Sequence, residues 1–175
     1  MPVHDNEKMI GRSVGGEKFF GKFRGLVTDN KDPDMLGRVT VKVPAVFGDA
    51  NSGWALPCLP YAGKEVGLFF IPPVGAHVWI EFEQGDPDYP IWTGCFWVKG
   101  EIPLGATVQR KILKTDACFI ILDDRPRTGR ITLGTTSGMK LDISGSGIEI
   151  HDGQGGTIKL SGPKVSINDH VLKGR

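Results

Sequence analysis

No apolar run in the sequence approaches the roughly 18–20 residues that carry a helix across a bilayer, and the opening MPVHDNEKMIGRSVGGEK has no apolar stretch of the kind a secretory leader needs. The chain is therefore expected to stay in the cytoplasm of the cell that makes it unless other machinery carries it out. Cysteines are scarce and odd in number: Cys58, Cys95 and Cys118 lie far apart with no C-x-x-C pair, which fits a reducing compartment and gives no metal framework. They are expected as small buried apolar residues. An excess of one charge is missing too. Twenty-one Lys+Arg face 20 Asp+Glu, too even a balance for a chain built to grip phosphate backbones. No G-x-S-x-G, H-E-x-x-H or P-loop occurs. The carboxylate pairs Asp86/Asp88 and Asp123/Asp124 sit in turn-like contexts where acids accept backbone hydrogen bonds, and nothing supplies the cleft a glycosidase requires. No catalytic residue, no cofactor and no enzyme activity are expected.

Glycine, by contrast, is abundant at 25 of 175 residues, about twice the usual ~7%, and it follows no G-X-Y period. That favours a turn-rich β protein. Residues 1–18 are polar and read as an arm that orders on a partner. From Phe19 to Val27 an aromatic and aliphatic stretch precedes the turn-forming DNKDPD. Val39, Val41 and Val43 then alternate with Arg38, Thr40 and Lys42, and Val78, Ile80 and Phe82 alternate with His77, Trp79 and Glu81. Strands are predicted around residues 19–28, 37–44, 64–71, 76–83 and 91–98. Five strands in about 80 residues suit a small, partly closed OB-like barrel over residues 19–99.

Residues 100–118 read as a linker, with a strand or two offered by KILKTDACFIILDD, and residues 119–175 as a different kind of unit. RITLG, MKLDIS, GIEIH, GTIKLSG and KVSIND are short strands with one apolar stripe each: Ile131/Leu133, Met139/Leu141/Ile143, Ile148/Ile150, Ile158/Leu160 and Val165/Ile167. Their first apolar residues are spaced 8, 9, 10 and 7 apart, an irregular but persistent repeat. A stripe two or three residues wide cannot cover itself. Its simplest cover is two further copies of the same chain, three ladders turning their stripes to a common axis. These eleven residues are thus predicted to line the core of an intertwined trimeric β-prism, a shaft of roughly 25–35 Å at about 4.8 Å per strand. Phe119 and Ile121 are expected near its start.

The strings GLVTDNKDPDMLGRVTVKVP (Gly25 to Pro44) and SGWALPCLPYAGKEVGLFFIPPVGAHVWIEFEQGDPDYPIWTGCFW (Ser52 to Trp97) resemble the phage baseplate assembly protein V and VgrG-like tail-spike family. The Asp-Pro followed by Gly-Arg-Val, the Trp-Ala, the Ala-Gly, the Pro-Pro-Val-Gly and the Glu-x-Gly-Asp-Pro come in the family's order. The resemblance continues into KILKTDACFIILDD and RITLGTTSGMKLDIS, with Ala117-Cys118 standing where a small residue and Gly are expected. It implies an OB domain followed by a trimeric β-helix, acting as the central spike of a contractile phage tail or tail-like injection system. It also implies a tail hub protein at the OB end, a PAAR-like tip protein at the C-terminal end, a target cell envelope to be pierced, and residence in a virion or injection-system baseplate. Without the lysozyme-like insert and the large N-terminal hub region of some members, the resemblance implies a minimal spike that is expected to dock on a separate hub protein.

Metal is not expected. Spikes of this family with an iron-binding tip carry a His-x-His pair that this sequence lacks, which leaves His170, meeting its two symmetry mates on the axis, as the weak candidate. The rival function is an OB domain binding nucleic acid or glycan, for which KFFGKFR (Lys18 to Arg24) interleaves basic and aromatic residues as a stacking platform would. Alternation would instead turn Phe19 and Phe23 to one face and Lys18, Lys22 and Arg24 to the other, so no specific nucleic acid is expected.

Overall fold

A computed structural model describes residues 16–168 and 170–172. The expected arm over residues 1–18 falls almost wholly outside this range. The chain divides into two compact units, residues 1–100 and 101–175. The second therefore begins well before residue 119.

In the first unit the strands are β1 (Phe23–Asp29), β2 (Thr40–Lys42), β3 (Leu56–Pro57), β4 (Ala62–Gly63), β5 (Val66–Gly67), β6 (His77–Phe82) and β7 (Pro90–Cys95). Five of them form one sheet in the order β2-β1-β6-β7-β3, antiparallel except for the β3–β7 pair. Its two edges approach each other: Val39, just before β2, exchanges backbone hydrogen bonds with Ala55, just before β3, at 3.2 and 2.8 Å. That bridge curls the sheet into the half-barrel of an OB-like domain and shields edge groups that would otherwise be open.

Alternation decides what fills it. Val39, Val41, Val43, Val78 and Ile80 are fully buried, with Val27, Ala55, Phe82 and Trp92 completing the core. Trp92 is held by its indole N–H, which donates to the Gly37 carbonyl at 3.2 Å, so its burial leaves no orphan donor. The predicted strand at 64–71 is not part of this sheet. Residues Ala62–Gly63 and Val66–Gly67 form a small separate hairpin, Leu68, Phe69 and Phe70 are exposed, and the fifth place is taken by Leu56–Pro57. A flanking Pro60 and the pair Pro72-Pro73 remove ladder donors on both sides of that segment.

The DNKDPD turn is tied together by Asp32. The Asp32 carboxylate accepts the backbone N–H of Asp34, Leu36 and Arg38 at 3.0, 2.7 and 3.2 Å and the Arg38 guanidinium at 2.6 and 3.0 Å. The Arg38 hydrogen bond holds the Asp32 carboxyl far below its ordinary range. The three cysteines are solvent-accessible rather than buried, although Cys95 is enclosed enough that desolvation pushes its thiol up.

The second unit is a single antiparallel meander of eight strands in chain order: β8 (Arg110–Lys114), β9 (Cys118–Asp123), β10 (Arg130–Thr135), β11 (Lys140–Ser144), β12 (Gly147–His151), β13 (Thr157–Ser161), β14 (Lys164–Ile167) and β15 (His170–Leu172). Short turns rich in Gly, Ser and Asp connect them, as a period-2 pattern broken every few residues requires. Seven spacings of about 4.8 Å make the ladder roughly 34 Å from end to end. Part of the segment read as linker, Arg110–Lys114, is its first strand.

Candidate functional site

The sequence nominates a face rather than a pocket, and register determines whether that face exists. Ile131 stands opposite Ile143, and Leu133 opposite Leu141. Next, Leu141 meets Ile150 and Ile143 meets Ile148, then Ile148 meets Leu160 and Ile150 meets Ile158, and finally Ile158 meets Ile167 and Leu160 meets Val165. Ten of the eleven nominated residues thus fall into two unbroken columns on one face, because directly opposed residues project to the same side of a sheet. Met139 stands apart. It precedes β11, is half exposed, and serves through its carbonyl, which accepts the Thr135 N–H at 2.9 Å.

Three residues that the sequence did not nominate for the core extend the columns. Leu133 pairs with Ile120 and Ile131 with Leu122, and Ile120 in turn opposes Leu113. Phe119 and Ile121 lie on the opposite face, one residue out of phase with the columns. The run FIIL is apolar at every position, so period 2 gave no sign of which pair faced which way. The Phe119 ring instead covers Gly134, where an added Cβ would come within 2.5 Å of the ring.

Twelve side chains of this face, from Leu113 to Ile167, each retain 36–46% of their surface exposed. No other element of the described second unit covers them. A contiguous apolar stripe of that length on a single chain marks a surface meant for contact. Completing the burial of each would contribute roughly 0.6–1.2 kcal/mol, about 40% of the full transfer value, or about 7–14 kcal/mol per chain.

From β11 to β13 the other face carries polar side chains whose carboxylates are paired. Burial pushes the Asp142 carboxyl up, but its hydrogen bonds from Thr132 at 2.5 Å and Lys140 at 3.0 Å outweigh that and hold it below its ordinary value. Lys159 lies 2.5 Å from Glu149 and lowers it likewise, with His151 3.4 Å from the same carboxylate. The pattern keeps the charges on this side and off the columns.

His170 is exposed and stands opposite Ile167 at the end of one column. Among the described residues no group of three His, Cys, Asp or Glu side chains is placed to hold a metal ion. The KFFGKFR segment divides between faces, with Phe20 left 73% exposed. Phe19 and Phe23 pack on Phe82 with ring centroids 6.2 and 5.5 Å away, Lys18 pairs with Asp86 at 3.2 Å and Lys22 with Glu81 at 2.8 Å. Arg24 lies over Trp79 and Phe96 on the outer side of the barrel.

Comparison with known proteins assigns the two units separately. Residues 23–97 match the type VI secretion system/phage-baseplate injector OB domain, and residues 111–173 match the phage baseplate V C-terminal trimerisation domain. Among curated proteins, the type VI secretion system spike protein VgrG5 of Pseudomonas aeruginosa is 38% identical over 93 residues, 48% of this chain and 12% of that protein. VgrG4b of the same organism is 35% identical over 91 residues, 47% of this chain and 11% of that protein. VgrG3 of Vibrio cholerae is 38% identical over 65 residues, 35% of this chain and 6% of that protein. The matched segment is thus about an eighth or less of the length of these relatives.

Proposed function

The chain belongs to the phage baseplate V family of VgrG-like spike proteins, carrying both its injector OB domain and its C-terminal trimerisation domain, and from that membership we propose that it is the central spike of a contractile tail or injection baseplate. In this reading the second unit of three chains winds into one shaft. The two columns, Leu133–Leu141–Ile150–Ile158–Ile167 and Ile131–Ile143–Ile148–Leu160–Val165, line its axis, and the sheath supplies the force that drives it through a target envelope.

The observation that carries the proposal is the uncovered apolar face itself, continuous over the seven strands β8 to β14 and in register throughout. Three such faces meeting on a threefold axis bury each other with no chain left over. A shaft so made yields only when many ladder hydrogen bonds and all three apolar faces give way together, which suits a part that transmits load. Hub docking through the OB domain, a PAAR-like tip on the shaft end and residence in a virion or injection-system baseplate belong to the same proposal. In the basic aromatic segment of the barrel Phe19 and Phe23 pack inward on Phe82 while Lys18 and Lys22 pair with Asp86 and Glu81, which favours this reading over a nucleic-acid or glycan binder.

Light scattering coupled to size exclusion tests it directly. A mass near 57 kDa, three times 19.0 kDa, is expected at low and high salt alike, because apolar burial does not weaken with ionic strength. A 19 kDa species at all concentrations would end the proposal.

A further inference from the structure

Where the ladder begins, its polar face carries more positive charge than it neutralises. Arg110 and Arg130 flank Asp123 as its two cross-strand partners, so all three side chains share a face. The Asp123 carboxylate, 7% exposed, is already saturated by a fourth residue. Arg125 donates to it from Nε at 2.8 and 3.1 Å and from Nη2 at 2.6 Å, and its backbone N–H adds a bond at 3.1 Å. Those bonds hold the carboxyl at about 2. Asp124 is engaged by Lys111, and Asp142 by Lys140 and Thr132. Arg110 and Arg130 act on Asp123 and Asp142 by charge attraction alone, whereas those carboxylates take their side-chain hydrogen bonds from Arg125, Thr132 and Lys140.

Arg110 shows the consequence most sharply. Its Nε is buried without a hydrogen-bond partner, and its Nη1 reaches only the Gly105 carbonyl at 3.5 Å. A buried guanidinium donor left unpaired is costly. Arg110, Arg125 and Arg130 line one hollow of about 280 Å³ together with Asp123, Thr128, Thr132 and Ile121. Three guanidiniums against one carboxylate leave a net charge of +2 around a space with planar donor forks, the arrangement that suits a tetrahedral dianion.

We propose that this hollow is an oxyanion site that binds a phosphate group, with Arg110 and Arg130 as its principal donors and Arg125, anchored on Asp123, closing the third side. Two sources offer that chemistry, free inorganic phosphate and the headgroup of a phosphomonoester lipid, and the site's donors do not distinguish them.

The test is calorimetric titration of inorganic phosphate into the full chain at fixed ionic strength. Saturable binding of one phosphate per chain is expected. Arg110→Gln should weaken it at least about tenfold, as loss of a charge-assisted donor does. Arg130→Gln should act in the same direction and serves if the first variant folds poorly. Lys164→Gln, the same charge loss on the same face four strands from β10, should leave binding within about twofold. Sedimentation with phosphatidic acid vesicles against phosphatidylcholine vesicles separates the sources. Retention on the former, displaced by free phosphate, assigns the lipid headgroup, and phosphate binding without retention assigns the free ion. Absence of saturable phosphate binding, equal loss in Arg110→Gln and Lys164→Gln, or vesicle retention that phosphate does not displace would overturn the site.

Discussion

Ile150→Asp places a carboxylate in the middle of one apolar column, between Leu141 on one neighbouring strand and Ile158 on the other. In a lone ladder Ile150 is 43% exposed, so the substituted carboxylate reaches water and the strand pairing survives. In a trimer it has nowhere to go. The twelve half-covered side chains provide roughly 7–14 kcal/mol per chain when their burial is completed, or roughly 20–40 kcal/mol for three chains. Bringing three chains together opposes this with something on the order of 10–30 kcal/mol. Three buried carboxylates facing each other at the axis, each costing several kcal/mol to desolvate, remove more than about 10 kcal/mol per trimer. The balance then turns against association. Light scattering should show about 57 kDa for the parent chain, from three times 19.0 kDa, and 19 kDa for the variant, with far-ultraviolet dichroism still reporting strands. Ser166→Asp, which adds the same charge to the polar face opposite Lys159, should remain trimeric. A variant Ile150→Asp of parental mass and thermal midpoint, or a Ser166→Asp that dissociates just as readily, would refute the axial placement.

Gly147 has φ +131, and an added Cβ would run into the Leu160 carbonyl on the next strand. Gly147→Ala should therefore shift backbone rather than a side chain and lower the stability of the assembled shaft by about 1–3 kcal/mol, read as a fall in denaturation midpoint with the first unit's tryptophan emission unchanged. Acidification should destabilise the protein in a defined window. Asp123 titrates at about 2 in the folded chain against an ordinary 3.8, and Asp32 is held lower still by Arg38. Depressed carboxyls give stability that is fully present above about pH 4 and is lost as the pH falls toward 2, because the unfolded chain then binds more protons. Thermal midpoints measured from pH 5 to 2 should decline, with a shallower slope in Asp123→Asn, and a flat profile would contradict the ion-pair assignment.

Local pattern carried much of this structure. The alternation of Val39, Val41 and Val43, and of Val78, Ile80 and Phe82, gave the barrel strands and their buried face before any pairing was known. The stripes from Ile131 to Ile167 likewise showed an incomplete apolar face, since a half-buried strand writes its period into neighbouring residues. Where a segment was apolar on both sides, as in FIIL, or apolar yet hemmed by prolines, as in residues 64–71, that signal failed. In the first case the face was ambiguous. In the second the missing backbone donors kept an apolar segment out of the sheet.

What the sequence determined by itself was therefore the β character, the division into a barrel and a repeat, and the need of the repeat for a cover. Tertiary structure alone decided the register that aligns ten separate residues into two columns, the choice of Leu56–Pro57 as the fifth barrel strand, the entry of Arg110–Lys114 into the ladder, and the gathering of Arg110, Asp123, Arg125 and Arg130 around one hollow. The physical reason is range. Side-chain alternation is fixed between adjacent residues, whereas strand pairing joins residues many positions apart through turns whose geometry and closure no local period encodes.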